Sequence, residues 1–169
     1  LRRMARVCRT LKDLGINFHW YIAGDGPDRD MLESELERLN ITDRMTLLGN
    51  IHNPFPAYIK ADMVAMLSNY EGLCGVVNES RVLGKPIIAT RVSGIDEQIV
   101  SGVNGLIVAQ DEVEIVCGLK RMITEPALRD RLATGGYPDV LLDDSRKVDQ
   151  LEELFLRRGH SKRASGHAE

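Results

Sequence analysis

The sequence predicts a Rossmann-like, doubly wound α/β domain, a parallel sheet with helices on both faces. Three observations carry this expectation. Five short runs rich in apolar and β-branched residues have strand length, at residues 18–23, 45–48, 62–67, 86–90 and 105–108. Stretches between them place apolar residues at helical spacing. The connections are mostly short and marked by glycine, proline or asparagine. Strands that alternate with helices across short connections bury a parallel sheet on both faces. The pattern decides architecture only, since many functions share it.

In chain order, residues 1–14 set Met4, Val7, Leu11 and Leu14 on one helical face, with Arg and Lys between them. Gly15 ends that helix, since glycine takes the left-handed conformation that often follows a helix. FHWYIA at 18–23 is aromatic and β-branched and reads as a buried strand. Pro27 suits the first turn of the next helix, whose apolar stripe is Leu32, Leu36 and Leu39. MTLL at 45–48 is a second strand, 54–60 a short helix and DMVAML at 62–67 a third strand. Gly72 and Gly75 break the chain, 76–83 suit one helix, and PIIAT at 86–90 is a fourth strand. One or two helical turns at 95–101 and a fifth strand at 105–108 follow. Helices are expected at 112–123 and 125–133, then a last amphipathic one near 145–156. The domain is assigned to residues 1–158; the small, polar tail at 159–169 is expected to be disordered.

Bulk properties exclude several classes. A net charge of −3 gives no basic footprint, which argues against a nucleic-acid partner. No apolar run approaches the roughly 20 residues that a membrane-spanning helix needs. Residues 1–14 are charged and amphipathic and lack the apolar core of a signal peptide. Three cysteines, Cys8, Cys74 and Cys117, are an odd number without metal spacing. They fit buried thiols in a reducing compartment, with no disulfide framework and no zinc site. The expected location is the cytoplasm.

Candidate chemistry concentrates in residues 68–90, SNYEGLCGVVNESRVLGKPIIAT. A loop at the carboxyl end of a strand is where open α/β sheets bind ligands. The helix start after Gly75 offers backbone N–H groups to an anion such as a phosphate. Glu71 and Glu79 frame it, seven residues between them. That spacing alone means little in a chain with 25 acidic residues. In this setting, two carboxylates able to accept hydrogen bonds from vicinal hydroxyls point to a sugar or ribose. Gly24-Asp25-Gly26 also follows a strand, but Arg29 stands where a dinucleotide fingerprint has its third glycine, so a tight turn is the better reading.

Residues 68–90 resemble the donor-binding half of glycosyltransferase family 4, the retaining, GT-B-fold sugar-nucleotide transferases. The family pattern is a strand, Ser-x-x-Glu-Gly-Phe-Gly, a helix with a second glutamate, then Gly-x-Pro-Val-Ile-Ala. The segments AGDGPDRDMLESELERL, RMTLLGNI, YIKADMVAMLSNYEG, SGIDEQI and GVNGLIV also match, in the family's order and spacing. The resemblance covers about residues 1–132. It implies a hexosyltransferase that takes a sugar from a UDP- or GDP-linked donor to a saccharide or lipid-linked acceptor, without a metal or other cofactor.

By position, the resemblance gives Glu71 the hydroxyls of the donor sugar and Glu79 those of the nucleotide ribose, the two catalytic carboxylates. Leu73, Cys74, Gly75 and Val76 offer backbone N–H groups to the sugar or diphosphate. Gly49, Asn50 and Ile51 edge the base, and Gly24 and Gly26 let the chain pass close to the nucleotide. Departures are Leu73-Cys74 in place of Phe-Gly, and Asn78 and Ser80 flanking the second glutamate. Cys74 reads as a small pocket residue, because no histidine is close in sequence to activate it. His19 reads as packed core and His52 as a loop residue; Asp62, Asp96 and Glu97 read as capping or structural carboxylates.

The family domain begins with a strand and turn carrying an Arg and a Lys that grip the diphosphate. Residue 1 falls in the helix that follows, so the chain reads as a donor half lacking its first strand and the N-terminal acceptor-binding domain, inactive by itself. An exposed sheet edge would invite dimerisation. The resemblance also implies peripheral membrane association of the whole enzyme, at the inner face. Rival readings are a GT-B nucleotide-sugar epimerase or hydrolase, and a non-catalytic binding or interaction module.

Overall fold

The computed structural model describes residues 1–72 and 74–136. Elements run α1 (Arg2–Asp13), β1 (Trp20–Ala23), α2 (Arg29–Arg38), β2 (Met45–Gly49), α3 (Phe55–Lys60), β3 (Val64–Met66) and α4 (Gly75–Val82). They continue with β4 (Ile87–Thr90), a 3-10 turn (Ile95–Glu97), β5 (Leu106–Val108), α5 (Glu112–Thr124) and α6 (Pro126–Thr134). The strands and helices expected up to this point are present, with ends moved by a residue or two. The 95–101 segment is a single 3-10 turn. Leu73, the helix expected near 145–156 and the tail at 159–169 lie outside the described residues.

All strand pairings are parallel, as expected of an α/β chain of this pattern. The strands form two sheets, not one: β1 with β2, and β3–β4–β5. Trp20 lies opposite Met45, with a slip in register between Ile22 and Ala23. Val64 lies opposite Ile87, and Ile88 opposite Leu106. Each of β1 and β3 therefore keeps one edge that no strand among the described residues pairs.

β4 is buried at all four positions because helices cover both of its faces. Ile88 packs with Leu11, Ile115, Leu119 and Met122 on one side. Ile87 and Ala89 pack with Val77, Ile95 and Ile99 on the other. This alternation follows from the strand's period of two. Gly118 lets α5 approach the sheet closely: a Cβ there would lie 2.7 Å from Val108 Cγ1 and 2.8 Å from Ile88 Cδ1.

The strand expected to be buried at 18–23 is covered on one face only. Trp20 and Ile22 pack beside the cluster of Ala5, Cys8, Leu32, Leu36, Ile41 and Met45. Tyr21, on the opposite face, is 60% exposed. His19 shares that face, so the expectation of a packed core histidine is corrected. It is exposed, its Nε2 lies 2.8 Å from Thr46 Oγ1, and its ring meets that of Tyr21 at 4.7 Å. Among the described residues no helix is long and apolar enough to cross a membrane.

Candidate functional site

Within each parallel sheet the strands' carboxyl ends share one side, and the loops leaving them form the natural binding face. The first turn of α1 touches these ends in both sheets. Leu1 lines a cavity of about 260 Å³ at the end of β1. Arg3 Nη2 donates to Leu67 O, at the end of β3, at 2.7 Å.

The cavity is walled by Ile22, Leu32 and Leu47 and by the 24–28 loop, so Gly24 and Gly26 both border it. Gly24 N donates to Gly49 O at 2.8 Å, which joins the loops after β1 and β2. Both residues have positive φ, 129° and 68°, which glycine tolerates and other residues rarely do. Asn50 is exposed and Ile51 half-buried in the segment leading to α3.

The loop after β3 is held from several directions. Ser68 Oγ donates to Glu71 Oε1 at 2.6 Å. Thr90 Oγ1 donates to Ser68 O at 2.6 Å. Gln110 Nε2 donates to Asn69 O at 3.1 Å and to Arg91 O at 3.0 Å, while its Oε1 accepts from Arg3 Nη1 at 2.9 Å. Glu71 is thus fixed through one oxygen, and its loop is fixed through its carbonyls.

Cys74 precedes the first turn of α4. Its N–H donates to Gln98 Oε1, and its carbonyl accepts from Gln98 Nε2, both at 3.0 Å. That N–H is therefore engaged within the protein, while Gly75 and Val76 sit in the first turn, where helix N–H groups lack intrahelical acceptors. Backbone N–H groups at a helix start suit an anion, although the Val76 N–H also faces the Cys74 thiol. The Cys74 thiol packs against Met66. Burial pushes its pKa up, with Glu71 and Glu79 adding to the rise and the Val77 and Val76 N–H groups opposing it. A buried neutral thiol is a poor nucleophile.

Glu79 lies one turn into α4. Its Oε2 accepts from Tyr58 Oη, on α3, at 2.8 Å. Its Oε1 turns back over the helix start, 3.7 Å from where a Cβ on Gly75 would lie. Burial, then the bond to Glu79, drive the Tyr58 pKa upward, so the phenol remains a donor. The structure thus brings Glu71, Cys74, Gly75, Val76 and Glu79 around one helix start, and Gly24, Gly26 and Gly49 around one cavity.

The family model for glycosyl transferases group 1 matches residues 1–138, most of the chain. The chain belongs to the group 1 glycosyl transferases. A lipopolysaccharide core biosynthesis glycosyltransferase, LpsD of Rhizobium meliloti (strain 1021), is 32% identical over 162 residues, 94% of this chain and 47% of that protein. HepE of Anabaena, solved in complex with UDP, superposes with a TM-score of 0.68 at 21% identity, over 77% of this chain and 38% of that one. The solved C-terminal domain of a group 1 family protein, LpcC of Francisella tularensis, gives 0.68 at 23% identity, over 80% of this chain and 74% of that one. The structural neighbours are GT-B glycosyltransferases, and this group 1 domain has the architecture of one half of that fold. The chain spans about a third to a half of the length of the first curated relatives it matches.

Sequence reasoning missed Tyr58, Gln98, Ser68, Gln110 and Arg3 in this group 1 site. Tyr58, Gln98, Gln110 and Arg3 act across the fold, whereas Ser68 reaches Glu71 three residues away. Only Ser68 carried a signal, since it opens the Ser-x-x-Glu-Gly pattern.

Proposed function

We propose that this domain binds the nucleotide-sugar donor of a retaining glycosyltransferase of family 4, a hexosyltransferase using a UDP- or GDP-linked sugar and a saccharide or lipid-linked acceptor. One observation carries the reading: Glu71 and Glu79 flank the first turn of α4, where Gly75 and Val76 begin the helix. Carboxylates accept from hydroxyls, and helix-start N–H groups donate to phosphate. Glu71 takes the donor sugar, Glu79 the ribose, and Gly75 and Val76 the diphosphate. Leu73 is assigned a backbone N–H toward the sugar or diphosphate and Cys74 a pocket-lining role. Gly49, Asn50 and Ile51 edge the base, and Gly24 and Gly26 let the chain pass close to the nucleotide. The UDP in HepE and the C-terminal position of the LpcC domain support this assignment.

In the whole enzyme, the charge that develops on the departing diphosphate is stabilised by preorganised N–H groups and by cations from a preceding strand. The two glutamates orient the donor and do no acid–base work. No metal takes part. The open edges of β1 and β3 support the reading that a further parallel strand joins the two sheets. The acceptor-binding domain closes the opposite wall of the cleft, so this half alone is inactive. Transfer takes place in the cytoplasm, at the inner membrane face for a lipid-linked acceptor.

Calorimetric titration with UDP, GDP, ADP and their sugar conjugates tests the reading. One base is bound in preference, and Glu79→Ala weakens binding about tenfold or more, the scale of a hydrogen bond to a charged group. A folded chain that binds none of them overturns it.

A further inference from the structure

We propose that Tyr58 is a positioning residue for Glu79, and that α3 thereby couples the loop after β2 to the carboxylate that receives the ribose. The proposal rests on the ribose role of Glu79 given above. Tyr58 and Glu79 are 21 residues apart, on different helices, and meet in a part-buried hydrogen bond of 2.8 Å. The phenol engages Oε2, while Oε1 is directed at the first turn of α4. Glutamate is among the side chains that lose most rotamer entropy when one conformation is frozen. A carboxylate already held by the protein has met most of that cost before the ligand arrives.

The helix that carries Tyr58 is itself tied to α4. Among its residues, Phe55–Lys60, none is fully buried, so packing alone does little to hold it. Lys85, in the turn after α4, donates from Nζ to Ile59 O at 2.7 Å and to Ala61 O at 2.9 Å. A cation on the last carbonyls of a helix also complements its dipole. At the other end Asn53 Oδ1 accepts from Phe55 N at 3.1 Å, and the Phe55 and Tyr58 rings lie 6.5 Å apart. Residues 50–54 run from β2 into this helix, so its position sets both the loop that edges the base and the donor that holds Glu79.

Titration of the full chain with UDP and GDP, each beside its 2′,3′-dideoxy counterpart, tests the proposal. The readout is the ratio of ribose to dideoxy affinity in wild type, Tyr58→Phe and Glu79→Ala, with thermal melts to confirm folding. Tyr58→Phe keeps the ring and removes only the donor. It is expected to lower the ratio about three- to tenfold by weakening the ribonucleotide alone, while Glu79→Ala abolishes the ratio. If Tyr58→Phe leaves the ratio intact or weakens both ligands equally, while Glu79→Ala abolishes it, the positioning role is wrong and the ribose role of Glu79 stands. If wild type binds neither ligand, does not distinguish them, or keeps its ratio in Glu79→Ala, the ribose role fails and the positioning role falls with it.

Discussion

Gln98 closes a two-way hydrogen bond on Cys74: its Oε1 accepts the Cys74 N–H and its Nε2 donates to the Cys74 carbonyl, each at 3.0 Å. Gln98 is 4% exposed and Cys74 also 4%, so water does not replace these bonds when they break. Gln98→Leu leaves the buried Cys74 N–H without a partner and its carbonyl with Val77 N–H alone, at 3.2 Å. The expected loss is about 2 kcal/mol or more, read as a lower urea midpoint with an unchanged slope.

Ser68 holds one oxygen of Glu71, the carboxylate assigned to the donor sugar. Ser68→Ala removes that restraint and leaves the backbone path through Thr90 to Ser68 O in place. Binding of a nucleotide-sugar should weaken about threefold or more, with the bare nucleotide unchanged. Calorimetry with both ligands reads the difference.

The contrast between β4 and β1 gives a stability test. Ile88 is fully buried, with apolar side chains from α1 and α5 around it. Ile88→Ala should cost about 2–5 kcal/mol, the range for deleting a packed aliphatic side chain. Tyr21 is exposed, and Tyr21→Ala should stay within about 0.5 kcal/mol of wild type. Denaturant melts of both variants check this.

Much of this architecture was legible in the sequence. The five strands and the helices up to residue 134 announced themselves because period, β-branched runs and glycine punctuation are local signals. The division into two sheets was not legible, since pairing joins residues far apart and leaves no mark in either strand. His19 was misread for a related reason. An alternating aromatic strand shows which residues share a face, but not which face the helices cover. Glu71 and Glu79 stood out because a loop and a helix start frame them. Tyr58, Gln98 and Gln110 did not, because each reaches its partner through the fold with no periodic spacing.

The cysteines differ sharply in environment. Burial pushes the Cys8 thiol from the ordinary 9.0 up to about 11, with the charge of Asp43 adding to it. Cys74 is raised in the same direction by burial, and Cys117 is exposed. Iodoacetamide at pH 8 should modify Cys117 in the native chain and all three thiols after unfolding, as peptide mass mapping would show. The raised Cys8 value also sets a sign. Between pH 9 and 11 the unfolded chain holds fewer protons at this site than the folded one, so its contribution to stability is present below pH 9 and falls as pH climbs to 11.

The most direct measurement on the donor site is amide chemical-shift mapping of the labelled chain with UDP- and GDP-sugars. The Gly75 and Val76 amides should shift most, with Gly24 and Gly49 following and Cys74, already engaged by Gln98, moving less. Shifts confined to the α5 and α6 surface, or none at saturating ligand, would contradict a donor site at the start of α4.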